Sequence, residues 1–125
     1  MIELLKDFPD NVVAFAFRGH VTKADYDQVL IPDFKDKLGR HEKVRIYCEM
    51  APDFTGFDAG AVWEDTKFGV GHFFDWDRAA IVTDVEWAKH VARFSEFLAF
   101  LWPGEYRAFP DAEAGTAREW IAEGQ

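Results

Sequence analysis

A chain of 125 residues, 49% of them hydrophobic, can bury one core without disulfides or metals, so we expect a single domain over residues 1–125. Its formal net charge of −9 repels phosphate backbones and anionic lipids, which argues against nucleic acid as a partner. The opening residues carry charges unlike those of a signal peptide, and no apolar run approaches membrane-spanning length, so we expect a cytoplasmic protein without membrane insertion.

The chain opens with a predicted β-hairpin. Residues 2–8 and 12–18 are apolar runs, and a proline and two turn-forming polar residues separate them. The second run is apolar at every position from 12 to 17. This pattern is typical of an interior strand that is covered on both faces.

A helix follows the hairpin. Thr22 and Asp25 resemble a capping box, and apolar residues then recur at helical spacing as far as Gly39, where we expect the helix to end. Pro32 lies inside this segment and has no backbone N–H to donate. We therefore predict a kink or a break into two segments at Pro32.

The middle of the chain predicts two further strands with a helix between them. Residues 43–50 alternate in polarity with a period of two, which indicates the third strand. Asp58 is placed to cap the second helix. Residues 70–77 are interpreted as an aromatic loop or short helix, and residues 78–83 as a buried fourth strand.

The last part of the chain completes the predicted order of elements. Thr83 and Glu86 form a capping box for a third helix that runs to about Leu101. Residues 106–109 form a short fifth strand, and Asp111 caps the last helix. The order ββαβαβαβα predicts an α/β fold with a mixed, mostly parallel five-stranded sheet, an N-terminal β-hairpin and four helices.

This order resembles the SpoIIAA-like branch of the STAS fold, the domain of bacterial anti-sigma factor antagonists. The stretches that carry the resemblance are residues 15–26, 56–68 and 79–84. The resemblance covers nearly the whole chain and implies a STAS-like fold. It points to a bacterial group whose activity is not established, so it implies more about fold than about function.

The resemblance also implies a switch loop. In signalling members of the fold, a loop reading Asp-Ser-Ser-Gly-Leu leads into the second helix, and a partner kinase phosphorylates its second serine. Residues 53–57 match this loop: Asp53 and Gly56 are shared, and Thr55 takes the place of the phosphorylated serine. Phe54 replaces the first serine, which removes one hydroxyl.

Two interpretations of this loop remain open. A phosphate on Thr55 would lie near a helix N-terminus, where unpaired backbone N–H groups favour an anion. Against this, Asp53 and Asp58 would repel the added dianion, and Thr-Gly after a strand is also ordinary turn chemistry. The switch and partner-binding hypothesis comprises Asp53, Thr55, Gly56 and Asp58.

A group of aromatic residues between the second helix and the fourth strand permits an alternative function. We interpret Trp63 as core packing and leave Phe73, Phe74 and Trp76 open between packing and a pocket. His20 follows a strand end, where α/β sheets often bind ligands. The alternative is a carrier or sensor of a small apolar, lipid-like ligand, bound by His20, Trp63, Phe73, Phe74 and Trp76.

The sequence contains no recognised catalytic pattern. It has no evident nucleophile–base pair or phosphate loop, and the acidic turn from His72 to Asp77 matches no known set of metal ligands. We therefore predict a non-catalytic regulatory or protein-interaction module that needs no metal or cofactor. Its aromatic content also favours self-association as a two-fold dimer.

Overall fold

The computed structural model describes residues 1–61, 63, 67, 75–84 and 105–123. Its elements follow in the order β1 (Ile2–Leu4), β2 (Val12–Phe17), β3 (His20–Val21), α1 (Lys23–Asp25), a π-helical segment (Tyr26–Leu30), α2 (Ile31–Arg40), β4 (Val44–Met50), β5 (Gly56–Phe57), β6 (Trp76–Val82), β7 (Glu105–Phe109), a 3₁₀ turn (Asp111–Glu113) and α3 (Ala114–Ala122). Residues 59–61, 63 and 67 are also helical. The helix predicted from Glu86 to about Leu101 lies outside the described residues.

Five strands form the main sheet, in the order β1-β2-β4-β6-β7. β1 runs antiparallel to β2, and every other neighbouring pair is parallel. The predicted α/β fold, with a mixed, mostly parallel sheet and an N-terminal hairpin, is therefore confirmed. A second sheet pairs β3 with β5, and the sequence pattern did not predict it.

The hairpin is shorter than predicted. β1 ends at Leu4 rather than at residue 8. Asp7 has a φ of 69°, a left-handed backbone conformation that interrupts an extended strand. The chain turns here, and the Val12 N–H donates to the Pro9 carbonyl at 3.0 Å where β2 begins.

The capping box at the start of α1 is confirmed. Thr22 Oγ1 accepts a hydrogen bond from the Asp25 N–H at 3.3 Å, and Asp25 Oδ2 accepts one from the Thr22 N–H at 2.8 Å. Burial by itself would raise the pKa of Asp25, but hydrogen bonds from the Thr22 backbone and hydroxyl hold that pKa below its usual value. These bonds fix where the chain leaves β3 and enters the helix.

At the predicted break, the helix changes its hydrogen bonding rather than ending, because Leu30 and Ile31 keep helical backbone angles. A π-helical segment precedes α2, and the Ile31 N–H donates to the carbonyl of Tyr26, five residues back. Pro32 then lies in the first turn of α2, directly after this π-helical segment, where the lack of its N–H removes one possible helical hydrogen bond.

The prediction that this helix ends at Gly39 is wrong. α2 includes Gly39 and ends at Arg40, where contacts with the hairpin turn hold the end of the helix. Arg40 Nε donates to Asp10 Oδ2 at 3.0 Å, and His41 Nε2 lies 2.6 Å from the same oxygen. Hydrogen bonds from Arg40 and then His41 lower the pKa of Asp10 well below its usual range.

Helices cover both faces of the sheet. The face beneath α1, the π-helical segment and α2 buries Ile2, Val13, Phe15, Phe17, Val21, Tyr26, Leu30, Phe34, Val44, Cys48, Met50 and Ala61. The face beneath α3 buries Val12, Ala14, Tyr47, Ala80, Val82, Phe109, Ala117, Trp120 and Ile121. Because both faces are covered, every residue of β2 is buried, as its unbroken apolar run predicted.

Two arginines of the sheet hold the end of α3. Arg45 is 9% exposed, and its Nη1 donates to the carbonyls of Ile121 at 2.9 Å and Glu123 at 2.6 Å. Arg78 Nη1 donates to the carbonyl of Trp120 at 2.9 Å. The last carbonyls of a helix have no partners within it and form the negative end of its dipole. These guanidinium groups supply hydrogen-bond donors to those carbonyls and a positive charge near that end of the dipole.

The prediction that Asp111 caps the last helix is wrong. α3 begins after Glu113, which makes no side-chain capping bond, and Asp111 opens the preceding 3₁₀ turn. The Asp111 N–H donates to Asp84 Oδ1 at 2.9 Å. Burial, together with the nearby charges of Asp84 and Glu49, raises the pKa of the Asp111 carboxyl.

Candidate functional site

The loop singled out by the sequence lies at the carboxyl edge of the parallel strands. β2 and β4 both end there, and the short strands that follow them, β3 and β5, pair with each other in parallel. His20 lies opposite Gly56, and Val21 opposite Phe57. The chain after β4 is thereby tied to the chain after β2.

Backbone hydrogen bonds extend this pairing on both sides. The Thr55 N–H donates to the Gly19 carbonyl at 2.9 Å, and the Asp58 N–H donates to the Val21 carbonyl at 3.0 Å. The Gly19 N–H in turn donates to Asp53 Oδ1 at 3.3 Å. We call these three contacts the clip, because the loop from Asp53 to Asp58 holds residues 19–21 through them.

The clip requires glycine at two positions. Gly19 has a φ of 54° and Gly56 a φ of 139°, both in regions that residues with a Cβ rarely adopt. At Gly56 the strain would come from the backbone alone, because a methyl group there would have open space around it. This gives a physical reason for glycine between Thr55 and Phe57 that does not depend on any partner.

Replacing Gly56 with alanine is expected to lower the free energy of unfolding by about 2 kcal/mol, the cost of a strained φ for a residue with a side chain. Gly115→Ala is the matched control, because Gly115 lies in α3, has no positive φ and also has open space around it. That change should stabilise the protein by about 0.5–1 kcal/mol. Urea denaturation followed by circular dichroism measures the free energy of unfolding of both variants. A higher free energy of unfolding for Gly56→Ala than for wild type would contradict the strain argument.

Two phenylalanines of the loop pack against β2. The rings of Phe54 and Phe57 lie 5.1 Å apart, and both contact Phe17 of β2, with centroids 6.0 and 5.1 Å away. Phe17 is buried, whereas Thr55, between the two anchors, is exposed. Phe54 therefore serves as an apolar anchor here.

The helix after the loop begins where the sequence predicted. Asp58 Oδ1 accepts a hydrogen bond from the Ala61 N–H at 2.7 Å, so the predicted cap at Asp58 is confirmed. A methyl group on Gly60 would lie 3.1 Å from Lys23 Cβ, so glycine permits the close approach of this helix to α1. The start of the helix is thus positioned by its own cap and by α1.

The structure brings two separately predicted groups together. The sequence predicts His20 in a ligand pocket and Asp53, Thr55, Gly56 and Asp58 in a switch loop. Because His20 pairs with Gly56, all five residues lie in one region at the carboxyl edge of the sheet. The side chains of His20, Asp53 and Thr55 are exposed there.

The aromatic residues proposed to line a pocket are placed differently. Trp63 is 61% exposed, so its interpretation as core packing is wrong; Lys67 Nζ lies 6.0 Å from the centre of its ring. Trp76 begins strand β6, not a loop, and packs against the core beneath α2. Phe73 and Phe74 lie outside the described residues. The two described rings therefore give the apolar-pocket hypothesis no support.

The region exposes several kinds of polar side chain. Residues held by the clip present a hydroxyl, an imidazole and a carboxylate to solvent, and the helix that follows exposes the indole of Trp63. Within the described ranges, no group of three or more His, Cys, Asp or Glu residues is arranged to hold a metal ion. In the same ranges, no helix is long and apolar enough to cross a membrane.

Sequence reasoning missed the contribution of residues 17–21 to this region. Gly19 and Val21 supply backbone acceptors to the loop, and Phe17 supplies its apolar support. The available signal was a glycine two residues after a buried strand, which often marks a special backbone conformation. The partner of that glycine, more than thirty residues away, could not be read from local pattern.

Comparison with known proteins found one matching family model and a similar fold. A family model described as SpoIIAA-like matches residues 12–122. The fold is similar to the crystal structure of an uncharacterized protein from the DUF3478 family with a SpoIIAA-like fold, from Shewanella loihica PV-4, with a TM-score of 0.70 and 24% identity over 97% of this chain and 92% of that chain. No curated protein matches. Because the family model covers most of the sequence, the chain belongs to the SpoIIAA-like family.

Proposed function

We propose that this protein is a non-catalytic regulatory module that binds a protein partner through its loop–helix surface, defined as Asp53, Thr55, Gly56, Asp58 and Trp63. Membership of the SpoIIAA-like family favours a regulatory or interaction domain. The observation that carries the proposal is the exposure of Trp63, at 61%, on the helix that begins directly after the clip.

The loop combines a fixed backbone with exposed side chains. The clip, the Asp58 cap and the two phenylalanine anchors hold the loop in one conformation. A partner that binds a preorganised loop loses less conformational entropy than one that must order it. Tryptophan is the side chain most often found at the energetic centre of protein interfaces, because it buries a large area with few rotatable bonds.

Replacing Trp63 with alanine should weaken partner binding by about 2 kcal/mol, or about thirtyfold in Kd, if this residue is an interface anchor. The change should leave stability within about 0.5 kcal/mol of wild type, because most of the ring is exposed. Affinity purification from the native cells with mass spectrometry would identify the partner, and calorimetry with the purified partner would then measure Kd.

Leu4→Ala is the matched control for this experiment. Leu4 is also an exposed apolar residue, at 42%, but it lies on the edge strand β1 and outside the loop–helix surface. Its replacement should leave Kd unchanged. Equal losses of affinity for Trp63→Ala and Leu4→Ala, or no loss of affinity for either variant, would remove Trp63 from the proposed interface.

The regulatory part of the proposal assigns phosphorylation to Thr55, whose side chain is exposed between its two anchors. Thr55→Glu should weaken partner binding about tenfold or more, because it adds charge at a contact surface. Thr116→Glu, at an exposed position in α3, is the control and should have no effect. Mass spectrometry of the protein from its native cells tests the modification directly: no phosphate on Thr55 under any growth condition would remove the switch and leave partner binding standing.

A further inference from the structure

Two aspartates follow the ends of neighbouring parallel strands. Val82 of β6 and Phe109 of β7 lie opposite each other, and each is the last residue of its strand. Asp84 and Asp111 each come two residues later, so the register of the strands places them side by side at the carboxyl edge of the sheet. The Asp111 N–H donates to Asp84 Oδ1 at 2.9 Å, which extends the pairing of the two chain segments past the strands.

The carboxyl groups of Asp84 and Asp111 also contact each other. Burial raises the pKa of Asp111, and the charge of Asp84 and a hydrogen bond between the two carboxyls raise it further. A hydrogen bond between two carboxyls requires a proton on one of them, because an ionised carboxylate has no donor. The pair therefore holds one proton more tightly than a single exposed aspartate does.

A third carboxylate, Glu49 of β4, lies near this pair but has partners of its own. Its charge also raises the pKa of Asp111. Glu49 Oε1 accepts a hydrogen bond from the Tyr47 hydroxyl at 2.5 Å and lies 3.5 Å from Arg118 Nη2 of α3. Among the residues that the structure describes, no lysine, arginine or histidine forms an ion pair with Asp84 or Asp111. Within that part of the chain, a proton is the cation that neutralises the pair.

We propose that Asp84 and Asp111 form a proton-sensitive contact that holds the end of β6 to the turn before α3 more tightly in acid than at neutral pH. Asp111 opens that 3₁₀ turn, so the contact connects the sheet to the helix that covers one of its faces. In acid, one carboxyl donates to the other in addition to the backbone bond. At neutral pH the proton leaves, and the backbone bond at 2.9 Å opposes the repulsion of two carboxylates. This device is independent of the loop–helix surface.

Titration of the side-chain carboxyl resonances by ¹³C nuclear magnetic resonance tests the shared proton. Asp84→Asn keeps an oxygen that can accept from the Asp111 N–H but removes the neighbouring charge, so the pKa of Asp111 should fall toward its ordinary value. Glu113→Gln is the matched control, because it removes a charge from the same 3₁₀ turn and should leave the pKa of Asp111 nearly unchanged. An unchanged pKa in Asp84→Asn, or an equal fall in Glu113→Gln, would overturn the proposal.

Urea denaturation tests whether the contact acts on folding. At about pH 7, Asp84→Asn and Asp111→Asn should each lower the equilibrium constant for unfolding about threefold, because each removes the repulsion of an exposed pair of like charges. The double variant should gain no more than either single variant, since there is one repulsion to remove.

The pH dependence of these gains has a defined sign. A group whose pKa is raised by folding contributes stability below its unfolded pKa, and this contribution is lost as the pH rises through the folded pKa. Both single variants should therefore lose their advantage over wild type at about pH 3.5, where the wild-type pair is protonated. Additive gains in the double variant, or gains of the same size at both pH values, would show that the two carboxyls do not act as a pair and would overturn the proposal.

Discussion

Replacing Arg45 with methionine is expected to lower the free energy of unfolding by about 3 kcal/mol. The guanidinium is 9% exposed and donates to the carbonyls of Ile121 and Glu123. Methionine fills much of the same volume but leaves those carbonyls without the donor that joins them to β4. Arg45 Nε also lies 3.5 Å from Asp77 Oδ1, so the change removes an ion pair as well.

Arg107→Met is the matched control, because Arg107 lies on β7, at the edge of the same sheet, and also contacts α3 near its end. Its guanidinium lies 5.0 Å from the Trp120 ring but is exposed to solvent, so we expect a loss of at most about 1 kcal/mol. Arg45→Lys should fall between the two, because one ammonium group cannot reproduce the planar fork of donors. Urea denaturation measures all three variants; equal losses for Arg45→Met and Arg107→Met would contradict the role assigned to Arg45.

Replacing Phe17 with alanine is expected to cost about 4 kcal/mol, within the range for truncating a buried aromatic side chain. The ring contacts the rings of Phe15, Tyr26, Phe54 and Phe57, at centroid distances of 5.2, 6.2, 6.0 and 5.1 Å. Its loss would leave a cavity directly beneath the loop that carries Thr55. The amides of Thr55 and Asp58 should therefore exchange faster in this variant under native conditions.

Phe8→Ala provides the control for the effect on the loop. Phe8 is half-buried on the opposite face of the sheet, where its ring lies 4.7 Å from that of Tyr47. Its truncation should also destabilise the protein, but exchange at Thr55 should stay at the wild-type rate. Phe17→Leu, which retains most of the volume, should cost about 1–2 kcal/mol and keep the loop protected. Faster exchange at Thr55 in Phe8→Ala would show that the anchoring effect is not specific to Phe17.

Much of the main sheet could be predicted because its signals are local. The unbroken apolar run of β2, the alternation along β4 and the Thr22–Asp25 capping box each lie within a few residues of the feature they predict. One error occurred where a distant contact decided the outcome. α2 continues through Gly39 to Arg40, whose side chain meets Asp10 thirty residues earlier in the chain.

The candidate site was predicted less completely than the sheet. Its loop was found through a family resemblance, and its helix cap through the position of Asp58. The exposure of Trp63 was not predicted, because an apolar residue in a helix is more often buried than exposed. The meeting of His20 with Gly56 was not predicted either, since two-residue strands carry no periodicity that a pattern can reveal.

The sequence by itself determined the α/β class, the entry hairpin, the parallel strands and the position of the loop from Asp53 to Asp58, because these follow from local spacing and from a family pattern that spans the chain. Only the tertiary structure decided that β3 pairs with β5, that Gly19 is held at both ends and that Arg45 joins β4 to the end of α3. Each of these joins residues more than thirty positions apart. The physical reason is that backbone donors and acceptors are the same at every residue, so the pairing of two short segments depends on how the sheet and helices place them together.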